Sequence, residues 1–245
     1  KFPEALMFET GANRWRTFDQ WPPPDLKPQQ LYFHENSMLS FDPPEENESR
    51  FDEYISDPKN PVPYTKKIVT SWEKTYMTED QRFAGQRPDV LCYTSDVLDQ
   101  DLTLAGPMRT ELFVSTSGTA SDWVVKLIDV YPADDKYQPA AQLMVRGDIF
   151  RGRFRESYEI PQSFVPNEPT PVSFELLDVL HTFKRGHRLM IQIQSTWFPL
   201  FDRNPQTFIE NIFNAEEDDF QTVTNRIYHS SEMPGCIKVN VLKNQ

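Results

Sequence analysis

Apolar and polar residues alternate with a period of two along much of the second half of the chain. Met108, Thr110, Leu112 and Val114 fall on one side of a run whose other side carries Arg109, Glu111, Phe113 and Ser115. Successive side chains of a strand point to opposite faces, so this run predicts a strand with one buried face. Trp123–Val130 is almost continuously apolar, the pattern of a central strand covered on both sides. In Arg188–Gln194, Leu189, Ile191 and Ile193 face one way, and Met190, Gln192 and Gln194 the other. This run and Phe174–Leu180 flank HTFKRGH, with Gly186 as turn residue, and together they predict a hairpin. Leu31–His34 is the first strand candidate and Ile237–Leu242 the closing one. About eight to ten strands separated by turns imply a sandwich or jelly roll.

Proline reinforces this reading. The chain has 21 prolines and 8 glycines, and proline disfavours long helices while marking loops and strand edges. Phe41–Thr65 (FDPPEENESRFDEYISDPKNPVPYT) holds five prolines and is expected to be a long ordered loop covering a sheet or meeting a partner. Trp72–Phe83 accommodates one helical turn. Residues 1–28 end in Trp21-Pro22-Pro23-Pro24 and carry Phe8, Trp15, Phe18 and Trp21. They read as a connector arm that packs on something, because a free linker does not carry so many aromatics. The sandwich domain is then residues 29–245.

Composition narrows the function. The apolar content of 38% and the 18 Phe, 9 Tyr and 5 Trp supply a core. A net charge of −12 argues against nucleic acid, which needs a basic footprint, and against docking on anionic lipid. No segment approaches the ~20 apolar residues of a membrane-spanning helix. No signal peptide is visible, and the opening KFPEALMFETGANRW reads as the middle of a protein. The compartment stays open between secreted, periplasmic and cytoplasmic. Cys92 and Cys236 form no disulfide framework and are expected as buried free thiols.

Catalytic chemistry is hard to find. A serine nucleophile on a strand-to-helix elbow needs Gly-x-Ser-x-Gly, and none of the eight glycines has Ser two positions on. There is no βαβ alternation to carry such an elbow. His181 and His187 are expected to hold a turn by hydrogen bonds rather than to act as bases. His34-Glu35 lacks a second His at helical spacing, and two distant cysteines give no zinc signature. Asp134-Asp135 and Glu216–Asp219 lack the alternating ligand pattern of a calcium loop and read as a solvated turn and a helix start. No metal, cofactor or catalytic residue is assigned. Trp197, Phe198 and Phe201 form the densest aromatic cluster, stiffened by Pro199 and Pro205. Ordinary core, a sugar-stacking platform and a domain contact are the three readings of that cluster.

Several segments carry a resemblance. RPDVLCYTSDVL (Arg87–Leu98), DLTLAGP (Asp101–Pro107), MRTELFVS (Met108–Ser115), SDWVVKLIDVYP (Ser121–Pro132) and STWFPLFDRNP (Ser195–Pro205) resemble, in order and spacing, the C-terminal β-sandwich of the Xaa-Pro dipeptidyl-peptidase-like serine hydrolases. That group contains α-amino-acid ester hydrolases, glutaryl-cephalosporin acylases and cocaine esterase. The resemblance runs from about Asn13 to Leu242. It implies an all-β jelly-roll sandwich of the galactose-binding-domain-like type. It also implies a non-catalytic domain walling the active-site cleft of an ester- or amide-cleaving serine hydrolase, whose α/β-hydrolase domain lies upstream in the same polypeptide. Homo-oligomerisation through the domain stays open. On this view the surface facing the hydrolase comprises Trp197, Phe198, Phe201, Asp202, Arg203 and Asn204, with Trp15 and Trp21 of the arm. Leu200 departs from the family, where Arg is common. The competing function is a carbohydrate-binding β-sandwich module.

Overall fold

The computed structural model describes residues 2–46, 49–67, 69 and 71–243. Fourteen strands are found among them: β1 (Ala5–Glu9), β2 (Arg14–Phe18), β3 (Leu26–His34), β4 (Met38–Ser40), β5 (Phe51–Ser56), β6 (Leu91–Thr94), β7 (Leu102–Thr116), β8 (Asp122–Val130), β9 (Gln142–Arg151), β10 (Thr170–Phe183), β11 (Arg188–Gln194), β12 (Val223–Ser230), β13 (Met233–Pro234) and β14 (Cys236–Leu242). Among the described residues helix is confined to single turns, including Tyr76–Thr78 inside the Trp72–Phe83 region and Arg82–Gly85 at its end.

The chain is an all-β sandwich. One layer runs β10-β7-β14-β3, with β12 pairing the far end of β7 and β5 lying beyond β12. The second runs β6-β11-β8-β9. Strand β4 joins them, antiparallel to β3 and parallel to β6.

The alternation of β7 holds as expected. Met108, Thr110, Leu112 and Val114 are buried, whereas Arg109 is exposed. Inward residues of β8 (Trp123, Val125, Leu127) meet Leu112, Val114 and Phe174 of the other layer in one core. The outward residues Val124, Lys126 and Ile128 are also buried. A strap, made by the described residues between 57 and 90, covers that outer face.

Two elements differ from the sequence expectation. Phe174–Leu180 and Arg188–Gln194 do not form a hairpin: β10 pairs β7, whereas β11 pairs β6 and β8. The short turn through Gly186 (φ 90°) carries the chain from one layer to the other, so the two apolar faces oppose across the core. Periodicity tells which face is buried but not which strand lies alongside. The proline-rich stretch after Phe41 also contains a strand, β5. Its Tyr54 and Ser56 point inward, and it adds to the edge at β12; the prolines at 43, 44, 58, 61 and 63 flank it. The arm folds as well. Its β1–β2 hairpin lies on the sandwich through a Thr10–His181 bridge, and β3 starts at Leu26, so arm and sandwich share a strand.

Candidate domain-contact surface

The segment after β11 is fastened to the strap from both sides. Thr196 Oγ1 accepts from the Val62 amide at 2.7 Å. The Phe198 amide donates to Val62 O at 3.0 Å, and the Tyr64 amide to Phe198 O at 2.9 Å. This pairing turns Trp197 inward, 4% exposed, and leaves Phe198 and Phe201 at the surface, 38% exposed each. Phe201 stacks on Trp197 with ring centroids 6.1 Å apart. Tyr76 of the strap meets Trp197 edge-on at 5.9 Å and also carries Trp72, which is exposed. The result is a continuous aromatic shelf from Trp72 to Phe201. A shallow cavity of about 240 Å³ opens on it between Tyr64, Trp72, Pro199 and Leu200.

Asp202, Arg203 and Asn204 hold this loop from below. Asn204 donates to Asp122 Oδ1 at 2.7 Å and accepts from the Gln206 amide at 2.8 Å. Arg151 bridges Asp122 at 3.3 Å and Asp202 at 3.1 Å. Burial pushes the Asp122 carboxyl up to about 6, more than Arg151 and Asn204 draw it down. Arg203 is tied within the chain. It donates to Pro58 O at 2.8 Å and lies over the Phe220 ring at 4.6 Å, so its guanidinium joins the domain's own loops. Leu200 packs against the cluster of Tyr64, Val124 and Trp197, which suits an apolar residue there. At 4% exposed, Trp197 offers no sugar platform.

Under the shelf lies a residue that the sequence reading passed over. Lys126 is fully buried. Its Nζ donates to Gln81 Oε1 of the strap and to Gln194 Oε1 of β11, both at 3.1 Å, and sits 5.4 Å from the Trp197 ring centroid. Burial among neutral groups drives its amine down to about 7. The signal was a lone Lys in the middle of an apolar run. Lys126 ties strap, sheet and shelf together.

The arm lies elsewhere. Trp15 is 65% exposed and packs edge-on against Phe8. Trp21 is half-buried and donates its indole N–H to Asp178. Glu9 anchors the hairpin, accepting from Thr182 at 2.6 Å and from Arg14 and Arg16. Burial raises its pKa, but these donors outweigh it and hold the carboxyl below its ordinary value. The hairpin docks at His181, whose Nε2 is 3.3 Å from Asp129. Asp129 pairs with Leu189, and Gln194 ends β11 at Val124. Five residue steps separate those levels, ~17 Å at ~3.3 Å per residue. The structure therefore joins Trp197, Phe198, Phe201, Asp202, Arg203 and Asn204 into one region and sets Trp15 and Trp21 apart from it.

The remaining candidates have internal partners. His181 and His187 share the two oxygens of buried Asp129, at 3.3 and 2.8 Å, which fastens the turn between the layers. Glu216 and Asp219 close a reciprocal cap on a single helical turn, and Asp135 accepts from two backbone amides of its own turn. Cys92 and Cys236 are free thiols, each pushed up to about 11 by burial.

Residues 2–236 match the family described as the X-Pro dipeptidyl-peptidase C-terminal non-catalytic domain. Cocaine esterase of Rhodococcus sp. (strain MB1 Bresler) is 28% identical over 249 residues, covering 98% of this chain and 42% of that protein. Among solved structures, an aminopeptidase from a marine sediment Thaumarchaeota archaeon superposes with a TM-score of 0.94 at 40% identity, and an α-amino acid ester hydrolase with 0.94 at 42%. Each comparison covers 98% of this chain and 41% of the other. The chain thus spans about two fifths of the length of these relatives. An all-β sandwich, without an elbow serine and matched along nearly its whole length, belongs to the X-Pro dipeptidyl-peptidase C-terminal non-catalytic domain family.

Proposed function

We propose that this chain is the C-terminal part of a serine hydrolase acting on esters or amides, and that its aromatic shelf walls the active-site cleft. The catalytic α/β-hydrolase domain would precede it in the same polypeptide and hold a Ser-His-Asp triad acting through an acyl-enzyme. The observation that carries this reading is the shelf itself. Trp72 and Phe201 are exposed at the two ends of the chain of rings through Tyr76 and Trp197, and Phe198 is exposed on the same loop; folded domains rarely leave such patches uncovered. Ligand sites commonly form where two domains meet, and a wall must be stiff to shape a cleft. The Asp122–Arg151–Asp202 bridge, the Asn204 hydrogen bond and the strap pairing supply that stiffness. The arm, with Trp15 exposed, offers a second contact near the other end of the strands.

Backbone hydrogen exchange tests the contact. In the longer polypeptide, amides of residues 72–78 and 198–202 should exchange more slowly than in the 245-residue chain alone. Equal exchange in both would show that nothing covers the shelf.

A further inference from the structure

A groove of about 630 Å³ crosses the outer face of the other layer, on the opposite side of the sandwich from the shelf. Its size lies within the ~300–1,000 Å³ of small-molecule sites. Strand register arranges its floor in cross-strand rows. Gln30, Lys238, Arg109 and Glu175 form one row, and Pro28, Asn240 and Pro107 lie along the next; Tyr32 lines the groove on the other side, and its own row continues through Cys236, Glu111 and Ser173 beside the groove. Phe41 and Pro43 wall one side.

The chemistry of this floor is specific. Lys238 and Arg109 sit directly opposite each other, an arrangement that repels on its own. Each is matched by a carboxylate: Lys238 Nζ is 2.6 Å from Glu111, and Arg109 is 3.9 Å from Glu175 while donating to Ser173 Oγ at 2.8 Å. Both cations are therefore neutralised, Arg109 by Glu175 in the lining and Lys238 by Glu111 beside it. What remains is two adjacent donors, Lys238 and Arg109, with carboxylate acceptors beside them, flanked by the amides of Gln30 and Asn240 and by the rings of Tyr32 and Phe41. Arg109 and Glu175 are 49% and 70% exposed in their side chains, so both are free to turn toward a ligand. They also line a second concavity of about 590 Å³ that continues toward Phe174 and Tyr158, so the trough suits an elongated occupant.

We infer that this trough binds a neutral oligosaccharide. Vicinal hydroxyls both donate and accept, matching adjacent cationic donors and carboxylate acceptors, while the apolar face of a pyranose ring lies against Tyr32 and Phe41. A polyanion is disfavoured because the floor is electrically balanced and the chain carries −12 overall. A peptide adding as a strand is disfavoured because the floor is a sheet face whose backbone groups are committed to four-strand pairing. The inference does not depend on the hydrolase reading, since it concerns the opposite side of the domain.

Titration calorimetry of the 245-residue chain tests it. The probes are hexasaccharides of β-1,4-linked glucose, β-1,4-linked mannose and α-1,4-linked glucose, with hexagalacturonate as the charged counterpart. At least one neutral probe should bind with Kd below ~1 mM, with little change between low and high salt. Arg109→Ala and Glu175→Gln, both at exposed positions, should each weaken it about tenfold or more while leaving the circular dichroism unchanged. Binding by none of the neutral probes, binding by hexagalacturonate alone, or affinity indifferent to both folded variants would each overturn the assignment.

Discussion

Replacing Lys126 with Met should change how stability depends on pH, and the size of the change follows from the burial. In the fold the amine is held at about 7, against an ordinary 10.5. A depressed amine pKa means that the unfolded chain binds more protons between those values, so stability rises with pH across that window. At 1.36 kcal/mol per pH unit the full swing is ~5 kcal/mol, of which ~2 kcal/mol falls between pH 7 and 9. Below pH 7 the whole penalty of burying the charge is present. The Cys92 thiol, which faces the same space, is raised to about 11 and stays protonated over the range measured. Met fills a similar volume without a charge. The variant leaves Gln81 and Gln194 without their donor, which adds an offset of ~1–3 kcal/mol per group, so the slope rather than the offset is the readout. Urea unfolding of both proteins at several pH values, with m checked for constancy, gives the difference directly. Wild-type stability minus variant stability should climb by ~2 kcal/mol from pH 7 to 9. A difference that stays flat within about 0.5 kcal/mol, the usual limit of additivity, would mean that Lys126 is not buried among neutral groups and that the strap is not locked as described.

Asp122 gives the opposite sign. Its carboxyl is raised from 3.8 to about 6, so its share of stability is lost as pH rises through that window, ~3 kcal/mol in all. Asp122→Asn should abolish that loss in urea titrations between pH 4 and 6.5; parallel curves for the two proteins would refute it. Gly152→Ala places a methyl 2.4 Å from the Trp123 ring and 2.8 Å from Phe164, so it should destabilise by at least ~1–3 kcal/mol, and an unchanged thermal midpoint would contradict the packing there. The chain alone should neither hydrolyse esters or dipeptide amides nor label with a fluorophosphonate; stoichiometric labelling of a serine, lost on substituting a histidine, would overturn the accessory-domain reading.

Which parts of this structure were legible in the sequence has a physical explanation. Strand faces were, because burial writes a period of two into Met108–Ser115 and an unbroken apolar run into Trp123–Val130. Strand partners were not. β10 and β11 have inward faces that serve equally well side by side or opposed across a core, and only the packed structure distinguishes the two. Strand β5 was hidden because five prolines dominate its neighbourhood, although FDEYIS itself is free of them. The aromatic loop was found through its family-like motif, but its composition could not tell that Trp197 points in while Phe198 and Phe201 point out. That depends on pairing with Val62 and Tyr64, more than 130 positions away in sequence. Trp72 was missed as part of the same surface for the same reason. The internal partners of Arg203, Pro58 O and the Phe220 ring, were not legible either, because a guanidinium suits an inter-domain grip and an internal loop tie equally well.

On the proposed function, the shelf walls a neighbouring active site. Steady-state kinetics of the longer polypeptide carrying Phe201→Ala, beside Phe213→Ala as an exposed aromatic outside the shelf, tests it most directly. The shelf variant should fold and lose ~1–2 kcal/mol of transition-state stabilisation, about 5- to 30-fold in kcat/KM, whereas Phe213→Ala should match wild type. Unchanged kcat/KM in folded Phe201→Ala would mean that the shelf does not border the active site.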